Sequence, residues 1–141
     1  MDNAQKILDL IAPFVKAGKV LPRTYAQINN NLADFVLLEQ DGVLVACAGL
    51  KNCQEGGVGE IYALTVSKKA QKKGLSLKLL DKITLKAKAE NFSKIFALTK
   101  HGTDWFIKHG FTQMSIADLP KKRQALFNHN RNSLIFFKNV N

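Results

Sequence analysis

Apolar positions recur along the first seventeen residues at Ile7, Leu8, Leu10, Ile11, Phe14 and Val15, the i, i+3, i+4, i+7 spacing of an amphipathic helix. Asp2 or Asn3 supplies its cap and Gly18 its end. A shorter helical piece over residues 23–30 is entered through Pro22 and stops at Asn29-Asn30-Asn31. The spacing then turns extended. Two apolar runs, 33–39 and 43–50, are joined by Gln40-Asp41-Gly42, and an Asp-Gly pair between β-rich runs predicts an antiparallel hairpin. After a turn at 54–57, residues 60–66 read as a third strand, β-branched and too short for a comfortable helix. Residues 74–90 return to the helical period, with Leu79, Leu80, Ile83 and Ala87 on one face and Lys78, Lys82 and Lys86 on another. A fourth strand at 94–99, a short helix at 103–109 closed by Gly110, and a fifth strand at 111–116 follow. Asp118-Leu119-Pro120 opens a polar, basic segment with helical character to residue 130, and 133–138 is a sixth strand. This order combines a hairpin with one βαβ crossover. It predicts one domain over residues 1–141, α+β in class, with a mixed central sheet of about six strands.

Composition narrows the setting. At 141 residues and 46% hydrophobic content the chain can bury a core, which excludes disorder. No apolar run approaches the roughly 18–20 residues a bilayer requires, so no membrane partner is expected. The first twenty residues, with Asp2, Lys6, Asp9, Pro13 and Lys16, do not read as a secretion signal, so a soluble, cytoplasmic protein is expected. The net charge of +10 is unevenly spread: residues 1–67 carry −2, residues 68–94 carry +7, and residues 120–141 hold five basic groups and no acid. Such a field could attract nucleic acid, an acidic surface or a small polyanion; its plainer reading is a lysine-rich helix face kept in water. Cys47 and Cys53 form no CxxC and read as buried or half-buried thiols, and His101, His109 and His129 are scattered, so no metal site is expected.

The candidate chemistry lies in residues 60–76. A strand passes through a polar link into Gln71-x-x-Gly74-x-Ser76, which opens the long helix, with lysines 68, 69, 72 and 73 around it. The first N–H groups of a helix lack intrahelical partners and its dipole favours negative charge, so this is an anion cradle in which Gly74 admits close approach. An ordinary helix start is the bland alternative.

The whole segment resembles the acetyl-CoA motif of the GNAT acyltransferase superfamily, Gln/Arg-x-x-Gly-x-Gly/Ala after a central strand. Ser76 stands where members usually have Gly or Ala. The resemblance implies the GNAT fold, with helices on both faces of the sheet, and acetyl-CoA as cosubstrate. It implies that backbone amides from Gln71 through Lys72, Lys73, Gly74 and Leu75 to Ser76 bind the pyrophosphate. Leu64, Thr65 and Val66 would pair with the pantetheine arm where this strand splays from 94–99. Glu60, eleven residues before Gln71, stands where several members carry a catalytic glutamate. A carboxylate at the edge of a closing cleft can take a proton from an ammonium if burial tunes it toward neutrality, while a surface Glu at a strand start is the bland reading. The Leu64 N–H is the implied oxyanion donor. The 103–109 helix has no Tyr for the general acid many members place there, which leaves Tyr62 or a water to protonate the thiolate.

Within the superfamily, the chain is similar over nearly its whole length to the acetyltransferase domain of the bacterial N-acetylglutamate synthase family. The matching stretches include Gly18-x-Val20-Leu21-x-Arg23-Thr24, Ala46-Cys47-Ala48-x-Leu50, Gly59-Glu60-Ile61, Phe96-Ala97-Leu98-Thr99, Trp105-Phe106-x-x-x-Gly110-Phe111, Asp118-Leu119-Pro120 and Arg131-x-Ser133. L-Glutamate, the implied acceptor, has two carboxylates, and Arg is suited to bidentate carboxylate contacts. The chain has three arginines against eighteen lysines. Arg23 and Arg131 fall on family positions, Ser133 adds a hydroxyl, and Arg123 and Thr99 complete the expected acceptor set. Typical members carry an amino-acid-kinase-like domain that binds arginine; none is legible in this sequence, and the family's first strand is expected to be missing. Either the sheet lacks that edge strand or another chain fills it, which leaves a homodimer open. Competing expectations are another small amine or a protein N-terminus as acceptor, a silent acyl-CoA sensor, and a basic nucleic-acid module. The last needs aromatics interleaved with the basic residues, and 68–91 has none, so nucleic acid is not an expected partner.

Overall fold

A computed structural model describes residues 1–71, 74–128, 131 and 133–140. The elements are α1 (Asn3–Lys16), α2 (Tyr25–Asn30), β1 (Phe35–Gln40), β2 (Val43–Asn52), β3 (Val58–Val66), α3 (Leu75–Ala89), β4 (Lys94–Thr99), α4 (Thr103–Lys108), β5 (Thr112–Met114), α5 (Lys121–Ala125) and β6 (Leu134–Asn139). Single 3-10 turns lie at Leu32–Asp34, Lys68–Ala70 and Ile116–Asp118. The strands form a mixed sheet in the order β1-β2-β3-β4-β6-β5, with β3 and β4 parallel across α3. Among the described residues no helix is long and apolar enough to cross a membrane.

Local chemistry explains most boundaries. Asp2, not Asn3, caps α1, its carboxylate accepting from the Gln5 N–H at 2.9 Å. Residues 23–30 shorten to α2 because Thr24 and Gln27 close a capping box at that point. In the β1–β2 hairpin Asp41 (φ 51°) and Gly42 (φ 77°) are both left-handed, as a two-residue turn matched to strand twist requires. The expected fifth strand shrinks to three residues because Ser115 and Asp118 form a capping box that starts a turn. The order of the last strands was not legible: β6 inserts between β4 and β5, pairing antiparallel with both.

The chain divides into two compact units, Met1–Leu50 with Ala63–Thr84, and Lys51–Tyr62 with Leu85–Asn141. In the first, Ile7, Ile11 and Ile28 of α1 and α2 pack on Leu44, Cys47, Phe35 and Leu37. The opposite face of that hairpin, Leu38 and Val45, takes Ala70, Leu75 and Val66. In the second, Val58, Phe96, Ile135 and Phe137 pack with Leu119. Phe106 of α4 stacks on Phe136 at 5.6 Å and meets Phe111 edge-on at 5.0 Å. Each unit therefore covers two faces of its strands, as expected.

Candidate active site

In the first unit the candidate cofactor segment leaves β3 through a turn. Ser67 N–H donates to the Val45 carbonyl at 2.8 Å, and the Gln71 amide reaches back to the Val66 carbonyl at 3.0 Å. Ala70 and Leu75 are buried against Val45 and Val66, so apolar contacts pin both ends of the loop. Gly74 sits at φ 73°, and a Cβ there would meet nothing within 4 Å. Its glycine is required by backbone conformation, and the space beside it is open. Leu75 begins a fifteen-residue helix, whose first N–H groups lie beyond the reach of intrahelical acceptors, with Ser76 half-buried beside it. This arrangement fits a phosphate group. Lys68 and Lys69 are exposed; Lys72 and Lys73 lie outside the described residues, as does His129.

Within β3, Leu64 and Val66 are half-buried and Thr65 is buried. Ala63 carries a left-handed φ of 52°, a conformation uncommon for a residue other than glycine. Its carbonyl accepts from the Thr65 hydroxyl at 3.2 Å and from the Cys47 thiol at 3.6 Å. Those two bonds give the buried Thr65 and Cys47 a structural reason, and burial pushes the Cys47 thiol up to about 12. The β3–β4 register runs from Val58↔Lys94 to Ile61↔Ala97 and ends just before this distortion. Sequence reading expected a splay at this strand but not the distorted residue, since alanine carries no turn signal.

Glu60 is the third residue of β3. Arg123 of α5 grips it side-on, Nε donating to Oε1 at 2.6 Å and Nη2 to Oε2 at 3.2 Å. The two side chains are 15% and 19% exposed, so Glu60 is no surface residue at a strand start. Cys53 lies nearby: burial first, then the Glu60 charge, pushes its thiol up to about 11, with Arg123 pulling the other way. Tyr62, two residues along the strand, is half-buried. Two supporting residues went unread in the sequence. Glu55 Oε1 accepts from the Lys121 N–H at 2.6 Å, and Gln124 donates to the carbonyls of Ala117 and Leu119 at 3.3 and 2.7 Å. Neither lies in a motif.

The remaining acceptor candidates are distributed. Arg23, half-buried in the first unit, donates to the Leu21 carbonyl at 3.0 Å. The Thr99 hydroxyl is engaged with the backbone of His101 at the end of β4. Arg131 N–H bonds Asn128, and its half-buried side chain precedes Ser133 by two residues. Ser133 Oγ is buried without a hydrogen-bond partner among the described residues, beside a cavity of about 310 Å³ that Ser115, Ile116, Phe127 and Ser133 help line. A buried hydroxyl left unsatisfied is costly unless something else meets it. Among the described residues no group of three His, Cys, Asp or Glu could hold a metal ion.

A mixed six-stranded sheet whose one parallel crossover runs through a long helix defines an α+β protein. Residues 5–111 match the model of the acetyltransferase (GNAT) family, and the chain belongs to that family. It is similar to the amino-acid acetyltransferase of Ralstonia nicotianae, 33% identical over 140 residues that cover 99% of this chain and 31% of the relative. The amino-acid acetyltransferase of Pseudomonas fluorescens is 32% identical over 99% of this chain and 32% of its own length. Among solved structures, N-acetylglutamate synthase from Neisseria gonorrhoeae, complexed with coenzyme A and N-acetyl-glutamate, matches with a TM-score of 0.94 at 35% identity, over 100% of this chain and 34% of that one. Rv2747 from Mycobacterium tuberculosis matches at a TM-score of 0.81 and 16% identity, over 96% of this chain and 92% of its own, a likeness of fold alone. The chain spans about a third of the length of the curated relatives it matches.

Proposed function

We propose that this chain transfers an acetyl group from acetyl-CoA to the α-amine of L-glutamate. The likeness over the whole chain to the gonococcal synthase, whose structure holds coenzyme A and N-acetyl-glutamate, carries this reading. The open left-handed Gly74 at the start of α3 supports the donor side of it. Backbone amides between Gln71 and Ser76 bind the pyrophosphate, with Lys72 and Lys73 adding charge, and Leu64, Thr65 and Val66 align the pantetheine arm. Arg23, Arg131 and Ser133 hold the acceptor's carboxylates. Glu60, directly or through water, accepts a proton from the α-ammonium, and the freed nitrogen pair forms a C–N bond at the thioester carbon. The Leu64 N–H steadies the oxyanion; as the intermediate collapses the C–S bond breaks and its electron pair leaves on sulfur. The second proton lost by nitrogen is relayed through Tyr62 or a water to the thiolate, leaving the relay group as it began.

The test is turnover by the purified chain with acetyl-CoA and a panel of amino acids, polyamines and peptides, followed by thiol release. Glutamate is expected to be the preferred acceptor. Turnover of polyamines or peptides with none of glutamate would sink the specificity while leaving the acetyltransferase reading intact.

A further inference from the structure

The chain places lysine almost everywhere it needs a cation, yet in the run Lys121-Lys122-Arg123 the third position is arginine. That residue alone in the run makes the planar two-bond contact with a carboxylate, 63 residues away in sequence. Lysine, a point charge on a flexible stem, cannot reproduce such a fork. We propose that Arg123 is a positioning residue for Glu60: its guanidinium fixes the orientation of that carboxylate, and it is not a ligand of the acceptor. The inference rests on the base role given to Glu60 above.

The build of α5 supports it. The helix has five residues and fully buries none of them, so its own side chains add little to the core. It is tied down nonetheless. Glu55 receives its first N–H, Gln124 binds two carbonyls of the preceding turn, and Leu119 at its entry is anchored beside Phe96 and Phe137. What these ties hold in place is the Arg123 side chain. Stability is a weak reason for the pair, because a partly buried ion pair is often matched or bettered by an apolar pair of similar volume. Holding one carboxylate in one orientation is a reason that an apolar pair could not serve.

Steady-state kinetics of Arg123→Gln and Arg123→Lys, with acetyl-CoA and the wild type's best acceptor, test it alongside thermal melts. Arg123→Gln is expected to lower kcat between about tenfold and a hundredfold, the scale of a misplaced catalytic group, with both KM values within about threefold. Arg123→Lys is expected to recover part of kcat. In a Glu60→Gln background the second change is expected to move kcat less than about threefold, since residues acting as one unit are not additive. A tenfold or larger rise in acceptor KM at retained kcat overturns the proposal in favour of acceptor binding, on the same reading of KM against kcat. Losses that multiply across the two sites, or a lowered melting temperature with unchanged kcat, also overturn it. Should Arg123→Gln fail to fold, Arg123→Lys alone decides: wild-type kcat there overturns the proposal. A wild-type chain that acetylates no amine overturns the proposed function and this inference together; an active wild type with any overturning result above removes this inference only.

Discussion

The loop at 67–76 and the Glu60–Arg123 pair solve the handling of charge in opposite ways. The loop is made of backbone: one left-handed glycine, the open start of α3, and apolar pins at Ala70 and Leu75. Lys68 and Lys69 are exposed, and side-chain identity matters little to the shape of the described part of the loop. The pair is made of side chains: a carboxylate and a guanidinium largely withdrawn from solvent, held by Glu55, Gln124 and Leu119. A site built from amides tolerates surface substitution and fails when its torsions are disturbed. One built from a partly buried pair fails when either partner loses its charge, because the survivor is left uncompensated.

The contrast can be broken most directly at Glu60. Glu60→Gln is expected to reduce turnover by about a hundredfold or more, the usual contribution of a positioned base, while acetyl-CoA affinity measured by calorimetry stays unchanged. Loss of acetyl-CoA binding in that variant would mean the two regions are not separable. Next in size is the core under the pair. Phe96→Ala, at a fully buried position, is expected to destabilise the fold by about 3–5 kcal/mol in a denaturant titration.

Smaller effects sharpen the comparison on the loop side. Gly74→Ala is expected to cost about 1–2 kcal/mol of backbone strain at the left-handed position, read as weaker acetyl-CoA binding, with Gly74→Asn milder because Asn visits that region more readily. Equal losses in the two variants would point to crowding, which the open space at Gly74 argues against. The smallest expected change is in the titration of Cys53. Burial and the Glu60 charge hold its thiol at about 11 against the ordinary 9.0, so its contribution to stability is complete below pH 9.0 and is lost as pH rises toward 11. Glu60→Gln removes one raising influence and leaves Arg123, which acts the other way. Ultraviolet titration of the folded variant should then show a thiolate forming at lower pH than in the wild type; an unchanged titration would mean burial alone sets it.

Much of this was legible locally. The Asp41-Gly42 turn, the α1 cap, the amphipathic face of Leu79, Leu80 and Ile83, and the strand at 94–99 all follow from spacings of a few residues, where turn chemistry and side-chain period act directly. Gly74 stood out for the same reason, whereas Glu60 and Gln71 stood out through the resemblance to the acetyl-CoA motif and the family that carries it. One misreading has the same root. Residues 111–116 carry a strand's apolar pattern, but Ser115 and Asp118 start a turn that cuts the strand to Thr112–Met114. Residue type alone placed Arg123 with the acceptor's arginines, and its pairing with Glu60 lay beyond what local spacing could reach.

By itself the sequence determined the single parallel crossover, the glycine at the head of its helix and the lysine-rich character of the segment around it, because each depends on neighbours within about one turn or one pleat. The tertiary structure alone decided that β6 lies between β4 and β5, that Ala63 takes a left-handed φ within β3 with its carbonyl met by Thr65 and Cys47, and that Arg123 closes on Glu60. Those contacts join residues that nothing in local spacing links, and they exist only once strand order and the docking of α5 have brought them within hydrogen-bond reach.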